Sequence, residues 1–241
     1  MSAKRRGAAR ELVKRLLAEI LGIGIVLMAI FAVLAVLVGS ARGRSSVLSN
    51  PCFPPCWQGV VPGQTDSGRA FETLAELEGV SFRSIMTWEH DGVTDEIGWR
   101  FQHPFSDTAG YMHFENDVLT AISILTSRSF SAGDAIDAFG EPEEIWLRCV
   151  SGDITQPVRA AMIYPAKGLS LELDLGMVSS TGGQVDLDGS SPVSKVLFFE
   201  PQRLEDVATS GLAFTAETPL PIERVPWRGL GQGAFEVPGC P

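Results

Sequence analysis

Apolar and polar positions along this chain change rhythm twice. From Ile20 to Val38 nineteen consecutive residues carry no charge and no strong hydrogen-bonding side chain. As a helix rising about 1.5 Å per residue, such a run reaches roughly 28 Å, close to the hydrocarbon thickness of a bilayer. A helix satisfies its own backbone groups in lipid, so the run predicts a transmembrane helix. At Thr65 the pattern becomes helical: Ala70, Phe71, Leu74 and Leu77 recur on one face, with Thr65 or Asp66 as cap and Gly79 as stop. Beyond Val80 the period shortens to that of strands, in SFRSIMTW, EIGWRF, AGYMHF and DVLTAISIL.

The same order returns further on. A serine cap near Ser129–Ser131 precedes Ala135, Ile136 and Phe139 at helical spacing, and Gly140 and Pro142 end the run. The strand patterns EIWLRCV, VRAAMIYP, GLSLELDL and VSKVLFFE follow, the last after a Gly/Ser/Asp-rich loop from Met177 to Pro192. PQRLEDVATSGL carries one more short helical pattern. The order of elements predicts an α+β fold in which a transmembrane helix precedes a duplicated helix-plus-antiparallel-meander domain. Two such units can pack as a pair of small sheets, or merge into one sheet with the helices on one face. The expected organisation is a basic segment 1–19, the span 20–38, a flexible tether 39–50 of small and polar residues, a first unit 51–128, a second unit 129–214 and a Pro/Gly-rich tail 215–241. The tail is expected to wrap the surface, pinned by Trp227 and Cys240.

Charge orients the apolar run. Lys4, Arg5, Arg6, Arg10, Lys14 and Arg15 precede it against Glu11 and Glu19, while Arg42 and Arg44 alone follow it closely. Basic flanks stay on the cytoplasmic side, so the N-terminus is expected inside and the bulk of the chain outside a cell membrane. The small residues Gly39–Ala41 also fit a processing site, but a cleaved signal has an apolar core of about 7–15 residues, shorter than this run. The chain carries a formal charge of −10, of which the first nineteen residues contribute +4, leaving −14 for the remainder. A domain that acidic is poorly suited to phosphate backbones, which argues against a nucleic-acid partner.

Four cysteines, Cys52, Cys56, Cys149 and Cys240, are an even number in a chain expected to be exported, which suggests two disulfides with three possible connectivities. Cys52 with Cys56 and Cys149 with Cys240 is the simplest pairing. Their spacings lack the close pairs or Cys/His pattern of zinc sites, and the three residues between Cys52 and Cys56 include Pro54 and Pro55, unlike a reactive dithiol. PCFPPCWQGVVPGQT, Pro51 to Thr65, therefore reads as a rigid lid with Trp57 as its apolar plug.

That stretch, together with FGEPEEI and the following YP and GLSLEL strands, resembles a group of bacterial membrane-anchored proteins of unassigned activity that carry a CxPPCWxGxxPGxT-type motif. More distantly, a PGxT helix start, an FGxP helix end and a β-meander are similar to SmpA/BamE-type envelope domains, tandem copies of which occur in the β-lactamase-inhibitor-like fold. The resemblance implies binding of other proteins rather than catalysis.

Candidate chemistry is sparse. The histidines are His90, His103 and His113, and His113 with Glu115 would share one side of a strand, a geometry open to a metal or an acid/base pair. No second pair at ligand spacing supports them, and strand-edge histidines are the simpler reading. DLDGSS, Asp186 to Ser191, resembles part of a calcium loop without its closing Glu and reads as a solvated turn. There is no GxSxG elbow and no phosphate-cradling glycine loop. Phe82, Met86, Trp88, Trp99 and Phe101 are expected in the core. No catalytic residue, metal ligand or cofactor is assigned. The expected function is a single-pass, extracytoplasmic binding or structural module of the bacterial envelope, with lipid at residues 20–38 and an envelope protein as partners. The alternative is an enzyme built on His113 and Glu115, or a small-ligand or metal sensor built on the Asp186 loop.

Overall fold

A computed structural model describes Gly24, Leu27, Met28 and Ile30 and residues 45–149, 158–175, 184–185, 187–210, 212–213, 222–231 and 235–236. The chain divides into two compact units, Met1–Arg42 and Gly43–Pro241. Of the first, the four described residues are helical, and Leu27, Met28 and Ile30 are exposed. The rest of the apolar run lies outside the described residues, among which no helix is long and apolar enough to cross a membrane.

The second unit is built on one antiparallel sheet. Its strands are β1 (Met86–His90), β2 (Val93–Arg100), β3 (Ala109–Glu115), β4 (Val118–Leu125), β5 (Glu144–Cys149), β6 (Val158–Tyr164), β7 (Leu169–Leu173), β9 (Val193–Phe199) and β10 (Glu223–Pro226). They lie in the order β1-β2-β3-β4-β9-β7-β6-β5-β10. A separate two-stranded sheet joins β8 (Gln184–Val185) to β11 (Phe235–Glu236). Three short helices complete it: α1 (Ser67–Glu76), α2 (Ala132–Phe139) and α3 (Leu204–Ser210).

Each helix starts where its cap chemistry permits. Asp66 accepts the Arg69 N–H at 2.7 Å, and Ser131 and Asp134 exchange hydrogen bonds in a capping box. α1 buries Ala70 and Leu74, and α2 buries Ala132 and Ala135, in one continuous cluster with Ile97, Trp99, Met112, Ile122, Met162, Leu171 and Phe198 from the sheet. α3 packs elsewhere. Its Val207 meets Trp146, Ala161, Ile163, Leu197 and Phe199, which alternate with the first set along the strands and so lie on the opposite face.

The expected fold class is therefore corrected. Eight strands fall near the expected strand runs, but with β10 they form a mostly antiparallel nine-stranded sheet, not a duplicated helix-plus-meander domain, and no transmembrane helix is found among the described residues. Pairing of β4 with β9 from Ala121↔Phe199 to Leu125↔Lys195 makes the two halves one sheet with a shared core, excluding two small sheets. Packing of α3 on the second face excludes helices on one face only. The physical reason is burial: β6, β7 and β9 are buried on both sides, and helices on one face would leave Ala161, Ile163, Leu197 and Phe199 of the second face in water.

Two connecting segments also differ from expectation. From Ser45 the tether is packed chain: Val47 is buried, the Ser46 N–H donates to Asp107 Oδ2 at 2.6 Å, and Asn50 bridges the carbonyls of Cys52 and Cys56. Part of the tail is sheet, since β10 pairs with β5 from Glu223↔Leu147 to Pro226↔Glu144. Trp227 packs against the core as expected of a pin; Cys240 lies outside the described residues.

Candidate functional site

The second face of the sheet is not covered evenly. Over β4, β9, β6 and β5 it is closed by α3 and by Leu212 and Ala213. Beneath that cover lies an ionic group that sequence reading missed: Arg148, Glu172 and Lys195 are buried, Arg159 Nη1 stands 3.1 Å from Glu172 Oε1, and Lys195 Nζ donates to the Leu212 carbonyl at 2.5 Å. Burial holds the Lys195 ammonium below its usual pKa, with Glu172 acting against it. Single charges on alternating strands leave no motif; only register brings these four together. Their bonds fasten the α3 segment to the sheet, a structural role.

Over β1, β2 and β3 the same face is open. Glu96 is opposite both Trp88 and His113, and Gly98 is opposite both Met86 and Tyr111, which places these six residues side by side. The Trp88 ring lies across Gly98 and beside Tyr111: a methyl group on Gly98 would come within 2.9 Å of Trp88 Cζ3 and 3.2 Å of Tyr111 Cδ1. Glycine is needed there because the ring occupies the space of a side chain. Trp88 and Met86 nonetheless remain 43% and 52% exposed, far above core values. This corrects the expectation that Phe82, Met86 and Trp88 belong to the core; Trp99 does, and Phe101 packs against it, half-buried. Alternation tells which residues share a face but not whether that face is covered, and β1 is the last strand of the sheet.

β1 is exposed at all five positions and pairs only with β2, so among the described residues its outer backbone edge has no strand partner. It carries neither Lys nor Pro, and its register with β2 shifts at an irregularity between Trp88 and Glu89. Beyond its start, Phe82 is 63% exposed and touches Phe71 of α1 edge-on at 6.2 Å.

His113 and Glu115 lie on β3 as expected but do not act together. His113 Nδ1 is 3.1 Å from Glu96 Oε2, whereas Glu115 accepts from Arg203 Nη2 at 2.8 Å. Burial lowers the His113 pKa to about 4, with Lys195 adding to it, and burial raises that of Glu96. Burial disfavours charge on both groups, so the contact is a close polar approach rather than a full ion pair. Thr120 Oγ1, on β4, donates to the His113 backbone carbonyl at 2.9 Å. Beside the start of α2, Asp188 accepts from the Ser190 N–H and hydroxyl in an exposed turn, as a solvated DLDGSS loop would; Asp186 lies outside the described residues. No group of three or more metal-ligating side chains occurs among the described residues.

Cys52 and Cys56 form a disulfide with Cα atoms 5.7 Å apart. The loop they close delivers Trp57 to the first face, where it stacks on Trp99 at 5.3 Å and 27°. Cys149 ends β5, and its expected partner Cys240 is outside the described residues. The chain matches no protein-family model, no curated protein and no solved structure.

Proposed function

We propose that this protein is an extracytoplasmic binding module of the bacterial cell envelope, held at the membrane by the apolar run Ile20–Val38, which docks another envelope protein on the β1 edge. The observation that carries this reading is the fully exposed edge strand β1, which presents Met86 and Trp88 beside an unpaired backbone row. An added strand would satisfy those backbone groups, and its side chains would lie on the Trp88 ring. Exposed apolar side chains rimmed by polar residues mark such surfaces. The basic flank of residues 1–19 and the even cysteine count support the outside location of the domain.

The test is a photo-crosslinking residue placed at Met86, with Glu72 on α1 as the control position, in cells carrying the full chain. A discrete crosslinked species from Met86 that is absent from Glu72 is the expected result. Equal yields at both positions, or none at Met86, would sink the reading.

A further inference from the structure

We propose that the segment received by the β1 edge is a basic, extended strand of the partner protein. This rests on the docking reading above and adds the chemistry of the occupant.

The β1–β2 hairpin from Met86 to Ile97 carries Glu89, Asp91, Asp95 and Glu96 and no Lys or Arg. Glu89, Asp91 and Asp95 are exposed, and Glu89 and Asp95 make no ion pair or hydrogen bond to a side chain among the described residues. Asp91 stands 3.6 Å from His90 Nε2. Arg83 and Arg100, the nearest cations along the chain, lie beyond the two ends of the hairpin. The hairpin that carries the exposed Trp88 indole thus offers two exposed carboxylates without an ion pair among the described residues, Glu89 and Asp95, and a third, Asp91, beside His90.

That pattern discriminates between occupants. A second copy of this chain would set the same carboxylates against one another, since like charges on adjoining strands repel. An acidic strand fails for the same reason. A strand carrying Lys or Arg gains a counter-charge at each carboxylate, and the Trp88 ring accepts either an aliphatic stem or the cation itself.

The experiment uses the full chain in micelles of an uncharged detergent and three synthetic nine-residue peptides, titrated at low and at physiological ionic strength. One alternates valine with lysine, the second alternates valine with glutamate, and the third is the lysine peptide N-methylated along one backbone edge. The lysine peptide is expected to bind about tenfold or more tighter than the glutamate peptide at low salt, because each exposed ion pair contributes about two- to fivefold. Glu89→Gln combined with Asp95→Asn should weaken it at least about fivefold, whereas Glu72→Gln combined with Glu76→Gln on α1 should not. N-methylation should abolish binding, since it removes the pairing hydrogen bonds. Equal affinity for the lysine and glutamate peptides, or no loss in the Glu89/Asp95 variant, overturns the basic occupant. Binding by the N-methylated peptide overturns strand addition. If the crosslink from Met86 persists while the peptides show no charge preference, this inference alone falls; if the crosslink is also missing, the docking reading falls with it.

Discussion

Two tryptophans on neighbouring strands of this sheet use the same cross-strand device and come to opposite ends. Trp99 of β2 lies over Gly110 of β3 on the first face, and Trp88 of β1 lies over Gly98 of β2 on the second. The first is buried, stacked on Trp57 and met edge-on by Phe101 at 5.9 Å. The second lies beside Tyr111 and opposite Glu96 and remains exposed. Chemistry and local geometry are shared, so the difference lies in what covers each face. A ring enclosed by other rings contributes to stability, whereas a ring laid flat on an uncovered strand is available to a partner.

The comparison breaks or sharpens most decisively at the two glycines. A methyl group at Gly110 would sit 2.0 Å from Trp99 Cζ2, and that ring has nowhere to move, so Gly110→Ala should cost about 2–3 kcal/mol, read as a lower denaturant midpoint. If it costs no more than Gly98→Ala, the two sites are equivalent and the contrast is lost.

Next comes the disulfide. Replacing Cys52 and Cys56 by serine should destabilise by about 2 kcal/mol, the loop-closure value for so short a ring. The loss should appear as a weaker near-ultraviolet signal from the Trp57–Trp99 stack. Met86 crosslinking should be unchanged, because the loop feeds only the first face.

pH acts on the open side. His113 has its pKa lowered to about 4 from 6.5 by burial, so between those values the unfolded chain binds the extra proton. Its contribution is complete above about pH 6.5 and is lost as pH falls towards 4, on the order of 1–2 kcal/mol after allowance for partial exposure. Glu96, raised by burial, runs the other way and favours the folded state in acid, so it blunts the loss. His113→Gln should flatten stability against pH over this window in denaturation series; an unchanged slope would show that the imidazole is not buried neutral.

The smallest effect on folding is expected at the exposed ring. Trp88→Ala and Gly98→Ala should each change stability by less than about 1 kcal/mol, since the Trp88 ring can swing outward. Both should reduce the Met86 crosslink several-fold. A large loss of stability in Trp88→Ala would make the open face a structural surface and remove its claim to function.

Legibility in the sequence followed the range of the interactions. Caps at Asp66 and Ser131 and the strand runs of β1–β7 and β9 are local, set by residues three or four apart or by alternation, and were readable; β8, β10 and β11, short and within stretches read as loop and tail, were not. The Glu96 partner of His113 was not, because it depends on β2–β3 register; Glu115, the partner suggested by spacing, is held by Arg203 from 88 residues away. The ionic group beneath α3 was unreadable for the same reason, drawing one residue from each of four strands.

Taken by itself, the chain determined its apolar run, its acidic balance, the positions of its three α-helices and of the longer strands, and the residues that share each of those strand faces. These follow from composition and from backbone periodicity, which need no distant contact. Tertiary structure alone decided that β4 pairs with β9 to make one sheet, that β5 rather than β1 receives β10 from the C-terminal segment, and that α3 covers one half of the second face and leaves the other open. Those choices depend on which apolar surfaces meet across long loops, a free-energy balance over the whole domain that no window of sequence contains.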